Sequence, residues 1–247
     1  MAHRVLAVIP ARLGSKRFPQ KVIYPFHGKP LLSYVHRQVL KAKRIDRVVV
    51  ATDDETVVAA AQQFGAEVIK TSRRHQTGSD RVAEVAARLG GTIVINVQAD
   101  NFGLKPTVLD TLVKHMIAHR QIRFATLARD IDNDRDLFSP DLVKVVIDAG
   151  GNALWFSRLP LPYLQNARRK KRCCEFPFLG HIGVYGFRRE ALRQFASWKR
   201  TPLEKAESLE QLRILEHGES IRVFKTSLKS VEINSPDDLK KLRRIYR

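Results

Sequence analysis

The chain has 247 residues, of which 44% are apolar, and its 44 Lys and Arg outnumber its 25 Asp and Glu to give a formal net charge of +19. This composition excludes a disordered or collagen-like chain, and no apolar run approaches the roughly 20 residues of a membrane-spanning helix. Cys173 and Cys174 are adjacent, so we expect no disulfide framework and a reducing, cytoplasmic setting.

In the first half of the chain, short apolar runs alternate with segments in which apolar residues recur at helical spacing. The first run, at 5–9, predicts a buried strand rather than a signal peptide, because Pro10 ends it early. After a breaker-rich loop at 11–30, we predict helices at 31–41, 54–64, 80–89 and 107–118, and strands at 47–51, 67–71 and 92–97. This alternation indicates βαβ units, and therefore an α/β fold with a doubly wound, mostly parallel sheet.

The second half of the chain mixes strand and helix patterns. We predict strands at 124–127, 181–187, 221–224 and 231–233, an antiparallel hairpin of 142–148 with 153–157, a helix at 203–217 and a basic amphipathic helix after 238. Neither an internal repeat nor a linker divides the sequence. We therefore predict a single domain over 1–247 with an inserted antiparallel arm at 153–200.

The excess positive charge is concentrated in three runs, at 41–44, 168–172 and 240–247. A positive charge attracts anions such as nucleotides, acidic substrates, nucleic acids or lipid surfaces, but no nucleic-acid-binding module is recognisable. We therefore interpret these runs as solvated faces, and we expect neither a nucleic-acid partner nor membrane insertion.

The loop after the first strand concentrates cations where a sheet of this class binds its ligands. Arg12, Lys16 and Arg17 surround Gly14, and Lys21 follows within reach. Ligands of doubly wound sheets lie beyond the carboxyl ends of the strands, so this loop suits a triphosphate. It matches neither the P-loop nor the dinucleotide-binding glycine pattern, and a solvated turn is the alternative.

Two further segments are expected at the same edge. Asp100 follows the fourth buried strand, where a carboxylate requires a cation such as Mg²⁺ or a basic partner; a cap on the next segment is the alternative. The polar loop at 75–81 leads into a helix whose N-terminal amides favour an anion or the edge of a base. Its alternative is a plain N-cap by Ser79 or Asp80.

These segments belong to a colinear series of sequence blocks. The blocks are IPAR, SKRFPQKVI, GKPLL, VVVATDDE, HQTGSDRVAE, IVINVQAD, LVKVVIDAGGNALWFSRLPLP, FLGHIGVYGFRR, PLEKAESLEQLRILEHGE and INSPDDL. In this order they resemble, nearly end to end, the CMP-sugar synthetases, most closely the 3-deoxy-manno-octulosonate (Kdo) cytidylyltransferases. The resemblance implies a nucleotidyltransferase fold, a homodimer, and a Mg²⁺-dependent reaction of CTP with an eight-carbon ketosugar acid. That reaction releases pyrophosphate and serves lipopolysaccharide biosynthesis.

The resemblance also implies roles for individual positions. The residues implied to contact the nucleotide are Arg12, Arg17, Lys21, Ser79, Arg81 and Gln98. The residues implied to contact the sugar acid are Arg158, His181, Glu210 and Gln211, and the 153–200 arm would serve dimerisation and sugar binding. The implied magnesium positions are Asp100 and Asn234, and the implied catalytic set is Arg12, Lys21 and Asp100.

The sequence departs from the family pattern in two segments that carry these magnesium positions. After the fourth strand the family reads NVQGDEP, whereas this chain has Ala99, Asn101 and Phe102 around the retained Asp100. Farther on the family reads VDTPEDL, and Asn234 stands where its first Asp ligates a second magnesium ion. Because Mg²⁺ prefers carboxylate oxygens, the second metal position is the weakened one.

The missing carboxylate leaves three hypotheses. In the first, the chain is an active cytidylyltransferase with weakened metal binding, a modified sugar acid, or a carboxylate supplied by Glu232. In the second, it is a catalytically weakened or inactive paralogue that keeps nucleotide binding and has a regulatory or assembly role. In the third, it uses another nucleotide or acceptor, or it binds nucleic acid through its basic surface.

Overall fold

The structure, a computed structural model, describes residues 4–14, 18–165, 172–228, 231–233 and 238–245. The strands are β1 (Val5–Pro10), β2 (Pro25–Phe26), β3 (Lys29–Pro30), β4 (Arg47–Thr52), β5 (Val68–Lys70), β6 (Ile93–Val97), β7 (Asn101–Phe102), β8 (Phe124–Asp130), β9 (Lys144–Ile147), β10 (Ala153–Ser157), β11 (Leu179–Arg188), β12 (Ile221–Lys225) and β13 (Val231–Glu232). The helices are α1 (Leu31–Leu40), α2 (Glu55–Gln63), α3 (Gly78–Leu89), α4 (Pro106–Ala118), α5 (Asp134–Phe138), α6 (Arg189–Ser197), α7 (Pro202–Glu207), α8 (Leu212–Glu216) and α9 (Leu239–Ile245).

Most strands join one mixed sheet with a parallel centre. Its order is β10–β9–β11–β6–β1–β4–β5, with β8 beside β11 and β12 beside β8. β1 is parallel to β4 and β6, whereas β11 is antiparallel to β6, β8 and β9. The predicted α/β fold with a mostly parallel sheet is confirmed, and β9 with β10 forms the predicted antiparallel hairpin.

Helices cover both faces of this sheet. Along β1, Val5, Ala7 and Ile9 pack into one core with α1, α2 and α4, whereas Leu6 and Val8 pack into a second core with α3, α6 and α8. Every residue of β1 is therefore buried, which explains its uninterrupted apolar run. Because both faces are covered, the ends of the strands remain as the place for a ligand.

Two helix predictions require correction. The helix predicted to begin at 80 begins at Gly78, and its N-cap is Thr77, which forms a capping box with Asp80, rather than Ser79 or Asp80. The single helix predicted at 203–217 is wrong: the chain forms α7 and α8, separated where Ser208 adopts a left-handed conformation with a φ of 53°. The sequence prediction also lacks α5, α6 and the short β7.

Part of the segment predicted as an inserted arm, 153–200, lies in the main sheet, since β10 pairs with β9 and β11 pairs with β6. Residues 166–171, with most of the second basic run, lie outside the described residues. The arm and the single-domain boundary therefore stay predictions. In the part of the chain that the structure describes, no helix is long and apolar enough to cross a membrane.

Candidate active site

A cleft opens at the carboxyl ends of β1 and β6, where the sequence analysis expects a ligand. Its volume is 470 Å³, and the residues that line it are Pro10, Ala11, Arg12, Gly14, Lys21, Val22, His75, Gln76, Thr77, Gly78, Arg81, Gln98, Ala99 and Asp100. Because β1 and β6 are parallel neighbours, the residues that follow them reach the same edge. The structure thus brings together the predicted site residues Arg12, Lys21, Arg81, Gln98 and Asp100.

Lys21 connects Asp100 to the segment that precedes the second predicted metal position. Its Nζ lies 2.8 Å from Oδ2 of Asp100 and donates to the carbonyl oxygen of Ile233 at 2.9 Å. Lys21 is buried, whereas the Asp100 side chain is 37% exposed at the cleft. Asn234, which follows Ile233, and Arg17 lie outside the described residues, so their roles stay predictions.

The two arginines of the cleft differ in their partners. Arg81 is 5% exposed, its Nη2 lies 2.9 Å from Oδ1 of Asp53, and its Nη1 donates to Thr71. Arg12 is exposed, and no carboxylate among the described residues pairs with it. Arg12 therefore keeps its charge available to an anion in the cleft, whereas Arg81 is fixed in the wall.

Ser79 and Gln98 both contact Glu210, although Glu210 was predicted on the sugar side. The Ser79 N–H donates to Oε2 of Glu210 at 3.2 Å, and the Ser79 hydroxyl accepts from Nδ2 of Asn96 at 3.0 Å. Nε2 of Gln98 lies 3.5 Å from Oε1 of Glu210, and a Cβ at Gly78 would lie 3.2 Å from the same Nε2. Burial raises the pKa of the Glu210 carboxyl above its ordinary value.

His181 and Gln211 belong to a buried polar group behind Glu210. Nε2 of His181 lies 2.8 Å from Oγ1 of Thr126, and the His181 ring centroid is 5.3 Å from that of Tyr185. The Tyr185 hydroxyl donates to Oε1 of Gln211 at 3.0 Å, while the buried Nε2 of Gln211 has no partner among the described residues. Burial lowers the pKa of His181 to about 3, so its imidazole is neutral at pH 7.

Arg158 contacts main-chain groups and does not line the cleft. Its Nε donates to the carbonyl of Glu207 and its Nη1 to that of Pro140, both at 2.9 Å, and its N–H donates to the Glu207 carboxylate at 3.1 Å. Its own carbonyl accepts from Lys144, whose pKa burial lowers to about 8. Arg158 thus fastens the end of α7 to β10, and its contact with a sugar carboxylate stays a prediction.

The residues that depart from the family pattern after Asp100 have structural partners. Phe102 is fully buried in the core beside α1 and α4. Asn101 is 1% exposed, and its Nδ2 donates to the carbonyl of Gly183 at 2.8 Å. A carboxylate cannot donate to a carbonyl, so the amide at this position fastens β7 to β11 in a way that glutamate would not.

Comparison with known proteins agrees with this arrangement. The sequence profile described as Cytidylyltransferase matches residues 6–221, most of the chain. The chain belongs to the cytidylyltransferase family. Among related cytidylyltransferases, the 3-deoxy-manno-octulosonate enzyme of Geobacter metallireducens is 43% identical over 97% of this chain and 96% of that protein. The enzyme of the same name from Pseudomonas syringae pv. syringae is 44% identical over 99% of each chain.

Solved structures show the same fold for this cytidylyltransferase. CMP:2-keto-3-deoxy-manno-octonic acid synthetase complexed with CTP superposes with a TM-score of 0.88 at 35% identity, covering 98% of both chains. HddC from Yersinia pseudotuberculosis, complexed with GMP-PN, superposes with a TM-score of 0.68 at 12% identity. The second likeness shows the fold alone.

Sequence reasoning missed three side chains that hold the cytidylyltransferase site together, namely Asp53, Tyr185 and Arg213. Each lies in one of the sequence blocks, but its partner lies in a different block. Asp53 pairs with Arg81, Tyr185 donates to Gln211, and Arg213, from the segment predicted as one continuous helix, pairs with Asp80. A usable signal exists for Asp53, because it follows β4 and so reaches the same sheet edge as Arg12. Asp54, the neighbouring carboxylate, is the N-cap of α2.

Proposed function

We propose that this cytidylyltransferase couples CTP to Kdo or a related eight-carbon ketosugar acid, forming the CMP-sugar and pyrophosphate. The observation that carries the proposal is the cleft at the ends of β1 and β6, where Arg12 and Lys21 stand beside Asp100. The relatives named 3-deoxy-manno-octulosonate cytidylyltransferase, which match over nearly their full length, support the choice of substrates. A solved synthetase complexed with CTP supports it as well.

The proposed chemistry needs charge neutralisation and positioning more than covalent help. The anomeric hydroxyl of the sugar acid attacks the α-phosphate in line, and pyrophosphate leaves. Arg12, which no carboxylate among the described residues engages, and Lys21 lie where they would neutralise the triphosphate. The amides at the start of α3, where Thr77 and Gly78 line the cleft, add a positive dipole end.

The family implies Mg²⁺, and Asp100 fits such an ion. Its carboxylate is a hard oxygen donor that faces the cleft and is 37% exposed. Among the described residues no group of three His, Cys, Asp or Glu could hold a metal ion. Phosphate oxygens and water, the usual ligands of Mg²⁺ at a nucleotide, would join Asp100 and the predicted position Asn234. Bound there, the ion would add positive charge at the phosphates.

The remaining site residues divide between the two substrates in this proposal. Ser79, Arg81 and Gln98 would surround cytosine and ribose. Gln211, with its buried Nε2 lacking a partner among the described residues, would donate to a sugar oxygen. His181 would contact the sugar acid as a neutral imidazole, because its pKa is far below 7.

We also propose a homodimer that works in the cytoplasm. Three large apolar side chains of the predicted arm, Leu154, Leu159 and Tyr163, are 60 to 82% exposed, which supports an interface there. Cys173 and Cys174 are free thiols, which supports a reducing setting.

Pyrophosphate release from CTP, Mg²⁺ and Kdo tests the proposed reaction. We expect release that requires all three components and that falls when UTP or ATP replaces CTP. CTP binding measured by calorimetry, without release for any pairing of nucleotide and sugar acid, would instead support the inactive paralogue.

Restoring the family carboxylate with Asn234→Asp tests the metal position. We expect the Mg²⁺ concentration for half-maximal rate to fall about tenfold, because a second carboxylate joins the site. Asn133→Asp is the matched control: Asn133 is the N-cap of α5, a position where aspartate serves equally well. Equal Mg²⁺ dependence in both variants would mean that position 234 does not face the metal.

A further inference from the structure

The buried guanidinium of Arg213 joins two carboxylates, the buried one of Glu204 and the partly exposed one of Asp80. It lies on α8 and is 1% exposed, and its Nε and Nη2 donate to the two carboxylate oxygens of Glu204 at 2.8 and 2.7 Å. Its Nη1 donates to Oδ1 of Asp80 at 3.1 Å. The Cζ atom of the Arg213 guanidinium lies 4.2 Å from the centroid of the Phe195 ring. One buried cation is therefore shared by acids from distant parts of the chain.

Both of these acids also cap helices. Asp80 forms the capping box of α3 with Thr77, and Oε2 of Glu204 accepts the N–H of Thr201, the residue that precedes α7, at 3.3 Å. Thr77 lines the nucleotide cleft, and α7 leads into the loop 208–211. Arg213 thus connects the helix start beside the cleft to the loop with Glu210 and Gln211.

Direct contacts between these two segments converge on one carboxylate, that of Glu210. The Ser79 N–H donates to it at 3.2 Å, and hydrogen bonds from the Ser79 and Thr77 side chains act to lower its pKa, although burial raises that pKa overall. Ser208, which opens the loop, has a φ of 53°, a conformation that is unfavourable for a residue other than glycine. The Asp80–Arg213 pair is a second constraint between the start of α3 and the elements that flank this loop, and it does not involve Glu210.

We propose that the ion pair between Asp80 and Arg213 positions the sugar-acid side of the site against its nucleotide side. The identity of the two substrates rests on the proposed function. Neither residue lines the cleft, so both are positioning residues. Loss of the pair leaves the Glu210 hydrogen bonds to hold the loop 208–211 at the start of α3, and both substrates then bind to a less ordered site.

The variant Asp80→Asn tests this role with little change in shape. The amide oxygen can still accept the Thr77 N–H, which Asp80 now accepts at 3.1 Å, but the negative charge opposite Arg213 is lost. We expect the KM values for CTP and for Kdo to rise together by about tenfold, with a smaller change in kcat. Amide hydrogen exchange in 208–211 is expected to become faster.

Glu67→Gln is the matched control. It removes one charge from another Arg–carboxylate pair, since Glu67 accepts from Nε of Arg47 at 2.9 Å where β4 begins, at the sheet edge opposite the cleft. We expect wild-type KM values and wild-type exchange in 208–211 for this variant.

Three outcomes would overturn the proposal. The first is an Asp80→Asn protein with a lower melting temperature but unchanged KM values and exchange, since the pair would then only stabilise the fold. The second is a rise in the KM for CTP alone. The third is an Arg213→Lys protein that folds and keeps both KM values, because lysine cannot reproduce the forked contacts of arginine. The exchange measurement needs no turnover, so failure of the proposed reaction remains distinguishable from failure of this inference.

Discussion

The proposed nucleotide side and the proposed sugar-acid side of the site are built in opposite ways. On the nucleotide side, Arg12 and Asp100 are open to the cleft and stand on loops that directly follow strands. On the sugar-acid side, His181 and Gln211 are buried, and their partners come from other elements. Arg12 and Asp100 thus present charge to a ligand, whereas His181 and Gln211 are neutral groups held in place by packing.

The charge at the cleft is distinct from the net charge of the chain. The exposed lysines and arginines of the 41–44 run lie away from the cleft, and only Arg12, Lys21 and Arg81 among the described basic residues other than histidine line it. The net charge of +19 therefore says little about the reaction. Position at the sheet edge decides which cations act on a substrate.

The largest expected effect comes from removing a cation of the nucleotide side. Lys21→Met should lower kcat/KM for CTP about 100-fold or more, because charge on the triphosphate loses a preorganised partner. Lys43→Met, in an exposed basic run, is the control and should leave kcat/KM unchanged. Steady-state kinetics at fixed Mg²⁺ measures both, and equal losses would show that bulk charge matters after all.

A smaller effect concerns the neutral imidazole of the sugar-acid side. The pKa of His181 is lowered by burial to about 3, so between pH 6.5 and 3 the unfolded chain binds a proton that the folded chain does not. This residue therefore makes the free energy of unfolding fall as the pH falls, by about 2 kcal/mol at pH 5 relative to pH 7. Urea unfolding at both pH values should show a weaker pH dependence in His181→Gln. An identical dependence in both proteins would contradict the buried neutral state.

The smallest effect isolates the unpartnered amide. Gln211→Met keeps the side-chain volume but removes the Nε2 donor, so the KM for Kdo should rise about fivefold while the KM for CTP stays constant. Tyr185→Phe removes only the hydroxyl that donates to Gln211 and is the control for loss of that bond. Equal changes in both KM values for Gln211→Met would show that the two sides are not separable at this side chain.

The meeting of Arg12 and Asp100 at one cleft could be predicted from the sequence, because the rule that places them is local. A buried strand followed by polar residues places those residues at the sheet edge, which locates Arg12 and Asp100. The break between α7 and α8 could not be predicted, because residues 203–217 keep a helical apolar period. There the left-handed Ser208 interrupts the helix, and the following turn carries Glu210 and Gln211.

The contacts of Arg158 are also not determined by the sequence pattern. The resemblance places it near the sugar carboxylate, which stays a prediction, and in the structure its Nε and Nη1 donate to the carbonyls of Glu207 and Pro140. These partners come from two other segments of the chain, and their arrangement depends on tertiary packing. Sequence patterns locate such residues in an element without determining what they touch.

The bond from Lys21 to the carbonyl of Ile233 also orders events during synthesis. The two residues are 212 positions apart, so the ribosome releases the acceptor long after the strands β1 and β6 can pair. By then the growing chain contains every strand of the main sheet and both members of the Lys21–Asp100 pair. The contact that anchors Lys21 beside Asp100 from this side is therefore one of the last that the growing chain can form.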